Sequence, residues 1–363
     1  MLRAIPTTLM RGGTSKGLYF KANDLPTDIA TRDRVLLAAL GSPDLRQIDG
    51  VGGAHPLTSK VAILAPSSKS GVDVDYLFLQ VSVDKAEVSD SQPCGNILAG
   101  VGPWAIENRL VDATSSITPV KIRTVNNNSI AIAHVHTPAG QVEYEGEARI
   151  DGVPGTASPI SIEFLDIAGS NCGALLPTGK VIDKVDGVEI TCIDNGMPVV
   201  LLRAEDFGLS GNESPAALES DTRLKDRIEA IRLKVGPMMG LGDVAKKTVP
   251  KMTLISAPQF GGALSTRSFI PHRVHEAIGV LGAVSVATAA ALPGSVATPF
   301  IKPMEGATSR AFDIEHPTGF FTVNLEVQPK ANSVEITRVA LLRTARKLMR
   351  GEVFVPSSAW ISK

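Results

Sequence analysis

Residues 96–102 (NILAGVG) and 275–282 (HEAIGVLG) decide the fold of this chain. Each begins a stretch of small and apolar residues, predicted to form helices over 96–107 and roughly 275–291, and the two stretches lie about half a chain apart. A helix that is apolar on every side must be enclosed by other structure. The repetition therefore predicts an α+β chain of two strand-rich barrels, each wrapped around a central helix. A chance similarity between two small-residue helices is the alternative.

The rest of the chain predicts mainly strands, because apolar and polar residues alternate with a period of two. The predicted strands cover 77–83, 120–125, 130–135, 142–145, 161–164, 188–193, 199–203, 251–256, 321–328 and 334–341. Two further helices are predicted over 29–40 and 218–235, and the asparagines at 126–128 predict a hairpin turn.

The length of 363 residues exceeds what one hydrophobic core ordinarily supports, so we expect two domains. The first is predicted to span 1–183 and to be completed by 343–363. The second is predicted to span 184–342, with His272 and His275 beside its central helix.

Composition and charge exclude several classes of partner. The formal net charge is −1 and no dense run of Lys and Arg is present, which argues against nucleic acid. The locally basic stretch 343–350 is interpreted as a solvated surface. The most apolar segment, 277–293, is too short to span a membrane and is interpreted as a buried helix.

The chain has three cysteines, Cys94, Cys172 and Cys192, and its N-terminus lacks the apolar core of a signal peptide. We therefore expect reduced thiols and a cytoplasmic location. The cysteine spacing matches no zinc or iron–sulfur pattern, so no metal is predicted.

Cys94 is the first candidate for chemistry. It lies directly ahead of the predicted helix, where unpaired backbone N–H groups favour a thiolate. Gly95 allows a ligand to approach the backbone, and the Asn96 amide can bind a carboxylate or an enolate. An inert cysteine packed in the core is the alternative.

Two glycine-rich loops add candidate charges. Residues 11–17 (RGGTSKG) combine backbone N–H groups, two hydroxyls and two cations, a set suited to anions. The spacing of a phosphate-binding loop is absent, and a solvated turn is the alternative. Residues 50–60 end at Lys60, ahead of an apolar strand, where desolvation can fit a lysine for proton transfer. A surface lysine is the alternative there.

In the second half, residues 265–275 precede the second central helix and contain no cysteine. His272 or His275 could bind or protonate a substrate, and either could instead cap the helix. Residues 315–319 form another candidate anion site, and Cys172 is interpreted as structural or peripheral.

Four motifs together resemble the methylaconitate-isomerase-like family. They are residues 10–17 (MRGGTSKG), 94–96 (CGN), 316–319 (HPTG) and 343–346 (RTAR), and the resemblance runs nearly from end to end. Within that family, the chain is most similar to the branch that acts on 4-oxalomesaconate in gallate degradation. This similarity is carried by Lys251 and by residues 266–272 and 278–284.

The resemblance implies a diaminopimelate-epimerase-like fold with the site in the cleft between the two barrels. It implies that Cys94 and Lys60 form an acid–base pair, with Ser15 nearby. It further implies a set of substrate-binding residues: Arg11, Gly12, Thr14, Lys16, Gly95, Asn96, Arg267, Ser268, His272, Thr318 and Gly319. It implies no cofactor and no metal.

The expected reaction is a keto–enol or allylic proton shift in an unsaturated tricarboxylate. The expected partner is a small-molecule di- or tricarboxylate. The alternatives are a cis–trans isomerase of 2-methylaconitate and a non-catalytic accessory protein of an iron–sulfur hydratase. An amino-acid epimerase is disfavoured, because the second half lacks the opposing thiol. A homodimer is left open.

Overall fold

The computed structural model of the protein describes residues 1–91, 93–270, 273–302, 308–330 and 333–361. The chain divides into two compact units. The first unit consists of Met1–Leu165 with Leu342–Lys363, and the second unit is Asp166–Leu341. The division after the first segment therefore lies at residue 165, whereas the sequence placed it at 183.

Strands predominate in both units. The strands are β1 (Leu2–Gly12), β2 (Ser15–Lys21), β3 (Lys60–Pro66), β4 (Val74–Val81), β5 (Val88–Ser89), β6 (Ile117–Thr124), β7 (Ser129–His136), β8 (Ile160–Leu165), β9 (Asp183–Val185), β10 (Val188–Asp194), β11 (Pro198–Arg203), β12 (Lys251–Ser256), β13 (Leu264–Phe269), β14 (Ser309–His316), β15 (Gly319–Lys330), β16 (Ser333–Arg343) and β17 (Ala345–Pro356). The helices are α1 (Ile29–Leu40), α2 (Gly95–Leu98), α3 (Val101–Glu107), α4 (Pro215–Ser220), α5 (Thr222–Met238) and α6 (Val280–Ala291). None of the helices in the described residues is long and apolar enough to cross a membrane.

The sheet of the first unit has the strand order β17-β1-β2-β3-β4-β6-β7-β8. Two pairs, β2 with β3 and β4 with β6, are parallel, and the other neighbours are antiparallel. Parallel neighbours need a crossover connection. Helix α1 lies in the first crossover and α2 with α3 in the second.

The second unit repeats this pattern strand for strand. Its order is β9-β10-β11-β12-β13-β14-β15-β16, with β11–β12 and β13–β14 parallel. Helices α4 and α5 lie in the first crossover and α6 in the second. The repetition predicted from the two small-residue helices is therefore confirmed.

Two apolar layers cover the two faces of the first unit's sheet. One layer joins α2 and α3 to strands β1 to β4 and β6 to β8, through residues such as Met10, Phe78, Trp104 and Ala133. The other layer packs helix α1 against the strands β1, β2, β3, β4 and β17. Because strands all along the sheet contact one short pair of helices, the sheet wraps around α2 and α3.

The central helix of the first unit is interrupted, which the sequence did not predict. The expected helix over 96–107 forms as α2 and α3, separated by Ala99 and Gly100. Pro103 explains the break, since it has no N–H to donate to the carbonyl of Ala99 four residues earlier. In the first turn of α3 that missing N–H costs little.

Other predicted boundaries also change. Helix α6 begins at Val280 rather than at 275, because the His275 N–H pairs back to Ser268 O at 2.8 Å and Phe269 bridges Val274. The helix expected over 218–235 forms as α4 and α5. Residues 142–145 do not form the predicted strand. Helix α1 lies where it was predicted, at Ile29–Leu40.

We predict that Gly100→Ala lowers the free energy of unfolding by about 1–3 kcal/mol, the usual cost of overpacking. The backbone of Gly100 (φ −83°) suits alanine, but an added Cβ would lie 2.4 Å from the hydroxyl of the fully buried Tyr19. Urea denaturation measures the change. The control is Gly351→Ala, whose Cβ would meet no atom within 4 Å and which should change stability by less than about 0.5 kcal/mol. Equal stability of the two variants would contradict this account.

Candidate active site

Lys60 is a buried lysine at the first position of β3. It is 8% exposed, and in the register of the sheet it lies opposite Gln80 of β4. Its Nζ donates to Gln80 Oε1 at 2.9 Å and lies 3.8 Å from the Sγ of Cys94. The Phe78 ring, whose centroid is 5.0 Å away, lies under the ammonium group. The two residues predicted as the acid–base pair are therefore in contact.

Two buried tyrosines fix the turn that carries Cys94. The hydroxyl of Tyr76 donates to the carbonyl of Cys94 at 3.1 Å, and that of Tyr19 donates to the carbonyl of Ile97 at 2.5 Å. Burial, reinforced by the nearby Cys94, raises the pKa of both tyrosines well above 10. Both hydroxyls therefore stay protonated and serve as fixed donors.

The first glycine-rich loop lies against Asn96. A Cβ on Gly12 would lie 2.5 Å from the carbonyl oxygen of Asn96, and one on Gly13 would lie 2.1 Å from its Oδ1. Gly13 also has a φ of +51°, a conformation that side chains disfavour. The N–H of Thr14 donates to Asn96 Oδ1 at 3.4 Å. Glycines at both positions thus let the loop reach the segment that follows Cys94.

Arg11 holds this loop in place. Its Nη1 donates to Gly13 O at 2.9 Å and to both the carbonyl and the hydroxyl of Thr344, at 3.1 and 3.0 Å. Burial and the neighbouring Arg346 lower the pKa of Arg11. Lys16 is half-buried and approaches the second glycine-rich loop, where a Cβ on Gly53 would lie 3.4 Å from its Nζ.

Arg343 is a residue that the sequence analysis placed wrongly. The stretch 343–350 was interpreted as solvated, and Arg346 and Arg350 are indeed exposed. Arg343, however, is 7% exposed. Burial lowers its pKa to about 10, while its interaction with Cys94 acts in the opposite direction. A buried cation therefore lies within electrostatic reach of the thiol.

Comparison with known proteins identifies the family of this chain. The family model described as "PrpF protein" matches residues 2–356. The chain belongs to the PrpF family.

Relatives of this PrpF-family chain are named as isomerases. It is 58% identical to the (4E)-oxalomesaconate Delta-isomerase of Novosphingobium sp. strain KA1, a match covering 96% of this chain and 97% of that protein. It is 56% identical to the 4-oxalomesaconate tautomerase of Pseudomonas putida, covering 98% and 97%. The crystal structure of a methylitaconate-delta-isomerase superposes with a TM-score of 0.88 at 34% identity, covering 100% of this chain and 98% of the other. The protein is an isomerase with the diaminopimelate-epimerase-like fold predicted from its sequence.

The predicted site residues of this PrpF-family protein fall in both units. Cys94, Lys60, Gly95, Asn96 and the loop 11–17, which contains Ser15, belong to the first unit. The others belong to the second: Arg267, Ser268, Thr318 and Gly319, with His272 lying outside the described residues.

In the second unit, Arg267 is largely buried on β13. Its Nε donates to Glu213 O at 2.7 Å and its Nη1 to Thr266 O at 2.8 Å. Burial lowers its pKa, and the nearby carboxylates Glu213 and Glu315 oppose that shift. The buried Ser268 pairs its hydroxyl with that of Thr253 at 3.1 Å. These bonds stabilise the fold, and a role of either residue in substrate binding stays a prediction.

Thr318 lies in the turn between β14 and β15, and Gly319 is the first residue of β15. Thr318 is exposed and lies against His316, with Oγ1 3.2 Å from the ring Nδ1. Gly319 has a φ of 140°. His275 accepts the N–H of Ala277 at 2.9 Å, so it caps the turn before α6. Burial and the neighbouring Lys251 lower the pKa of His275.

The other two cysteines, Cys172 and Cys192, lie in surroundings that disfavour a thiolate. Burial raises the pKa of Cys172 and of Cys192 to about 12, and neighbouring carboxylates reinforce both shifts. Neither is therefore poised to act as a thiolate near neutral pH. Among the described residues, no three His, Cys, Asp or Glu side chains are grouped to hold a metal ion.

Ser15 carries a buried hydroxyl with no hydrogen-bond partner among the described residues. Such a group costs about 1–3 kcal/mol of stability. We therefore predict that Ser15→Ala unfolds at the same urea concentration as the wild type or at a higher one.

The matched control for this prediction is Ser59→Ala. Ser59 is equally buried, but its hydroxyl bonds to Gln47 Oε1 at 2.8 Å and to His55 O at 2.9 Å. The free energy of unfolding of this variant should fall by about 1–3 kcal/mol. An equally large fall in Ser15→Ala would show that the Ser15 hydroxyl has a partner in solution.

Proposed function

We propose that this PrpF-family isomerase interconverts the tautomers of 4-oxalomesaconate, with Cys94 and Lys60 as its proton-transferring pair. The observation that carries the assignment of the pair is the 3.8 Å contact between Lys60 Nζ and Cys94 Sγ, next to the loop 11–17. The relatives at 58% and 56% identity, both named for oxalomesaconate, support the substrate.

The chemistry begins at a carbon acid. A methylene group flanked by a ketone and a carbon–carbon double bond loses a proton to a modest base, and the negative charge spreads over the resulting dienolate. One member of the pair takes this proton and the other supplies one. A proton delivered to oxygen gives the hydroxydiene, and a proton delivered to the far carbon moves the double bond. The two relatives' names describe these two outcomes of one abstraction.

Positive charge lowers the barrier by stabilising the dienolate. The Lys60 ammonium and the buried Arg343 guanidinium supply that charge around Cys94. We propose that the hydroxyl of Ser15 and the loop 11–17 bind substrate carboxylates, which would give the buried Ser15 oxygen a hydrogen-bond partner.

Independence from metals and organic cofactors belongs to the same proposal, since a thiol and an amine suffice for a proton shift. A role in gallate degradation and a cytoplasmic location are also part of this proposal. The three free cysteines are compatible with that reducing compartment. The names of the relatives disfavour the alternative of a non-catalytic accessory protein.

The test is an ultraviolet assay of the purified protein that follows the change in conjugation of 4-oxalomesaconate. We expect turnover by the wild type and a loss of at least about 100-fold in both Cys94→Ala and Lys60→Met, the usual range for losing a general acid or base. Cys172→Ala, which removes a thiol held protonated elsewhere, should retain activity within about twofold.

The substrate is tested in parallel with 2-methylaconitate and 3-methylitaconate. Turnover of either of these without turnover of the oxo-acid would refute the substrate assignment. The roles of Cys94 and Lys60 would then be tested by the same variants on the acid that is turned over. Full activity of Cys94→Ala on 4-oxalomesaconate would refute the pair.

A further inference from the structure

Gln80 is a polar residue next to the C-terminal end of β4, and the sequence predicts it only as part of a strand. The antiparallel register of β3 and β4 places it directly opposite Lys60. Its Oε1 accepts a hydrogen bond from Lys60 Nζ at 2.9 Å. Gln80 is thus in direct contact with one member of the proposed proton-transferring pair.

The other end of the Gln80 amide is fixed by the main chain. Its Nε2 donates to Pro56 O at 3.0 Å and to Ser59 O at 3.1 Å, with Val81 O at 3.3 Å. A flipped amide would turn its oxygen toward these carbonyls and its N–H groups toward the ammonium, so both ends would repel their neighbours. The carbonyls therefore fix Oε1 toward Lys60.

An amide suits this position better than a carboxylate. A lysine side chain is long and flexible, and without a partner its ammonium group samples many positions. A carboxylate would hold the ammonium but would also offset its charge and disfavour the neighbouring thiolate. The neutral amide oxygen restrains Nζ and leaves its positive charge available to Cys94.

We propose that Gln80 is a positioning residue that holds the Lys60 ammonium group against the Cys94 thiol. The inference rests on the proposed function, which gives the pair its catalytic role. Its test is chosen to need no substrate.

The first measurement is the pH dependence of Cys94 alkylation by iodoacetamide, followed by mass spectrometry of the Cys94 peptide. An adjacent ammonium stabilises a thiolate, which is the form that is alkylated. We expect Lys60→Met to raise the pH midpoint of alkylation by about one unit or more, since an opposite charge at this distance is removed. Gln80→Met should raise it in the same direction by about half a unit or more.

The second measurement is turnover. Gln80→Met should lower kcat about 10- to 100-fold, as expected for losing a hydrogen bond to a charged catalytic group, with KM nearly unchanged. A residue that merely stabilised the loop would change neither the alkylation midpoint nor kcat once the protein is folded.

The matched control is Gln47→Met, the same substitution at a glutamine that braces the same loop. Gln47 is buried, its Oε1 accepts from Ala54 N and Ser59 Oγ at 2.8 Å each, and its Nε2 donates to Ser42 Oγ at 3.0 Å. We expect Gln47→Met to lower stability while leaving the alkylation midpoint and kcat of the folded protein unchanged.

A wild-type midpoint in folded Gln80→Met would overturn the proposal, and so would an equal shift in Gln47→Met. If Gln80→Met does not fold, Gln80→Asn carries the test. Its neutral amide is one methylene shorter and loses the bond to Lys60 Nζ, so the midpoint should rise as in Gln80→Met, and an unchanged midpoint in folded Gln80→Asn would overturn the proposal. Failure of the wild type to convert 4-oxalomesaconate would refute the proposed substrate and leave the alkylation result to decide on Gln80.

Discussion

The contact between the Lys60 ammonium and the Cys94 thiol is the interaction on which the proposed function depends. The two residues are 34 positions apart, and a buried cation is costly unless it has partners. The register of β3 and β4 supplies Gln80 as one partner. Two buried tyrosines, Tyr19 and Tyr76, hold the turn that carries the other. The sheet that wraps around α2 and α3 thus brings the proposed proton-transferring pair into contact as well as building a core.

The second unit shows that this topology does not by itself create such a pair. Its strands repeat the order of the first, with parallel neighbours at the corresponding places. Where the first unit has Cys94 ahead of its central helix, the described part of the second has His275, which caps a turn. Its buried Arg267 donates to main-chain carbonyls. The scaffold therefore occurs twice, with a lysine at the start of both β3 and β12, and with a cysteine directly ahead of the central helix in the first unit.

The sequence predicts the parts of this arrangement that depend on local patterns. Alternation predicted most strands, and the two small-residue helices predicted the repetition. Cys94 and Lys60 became candidates because each lies at the junction of a polar loop and an apolar element, and the family resemblance paired them. Gln80, Tyr19, Tyr76 and Arg343 were missed, because their roles depend on contacts across the sheet or with the chain's far end. The basic stretch after Arg343 hid its burial, and Pro103 was the overlooked signal for the broken helix.

The central claim is that Cys94 and Lys60 move a proton between two positions of one conjugated acid. Its most direct test is proton nuclear magnetic resonance of 4-oxalomesaconate incubated with the protein in deuterium oxide. The account predicts that the wild type incorporates solvent deuterium at carbon on the time scale of turnover and that the double variant Cys94→Ala/Lys60→Met does not. Exchange at the wild-type rate in the double variant would contradict it.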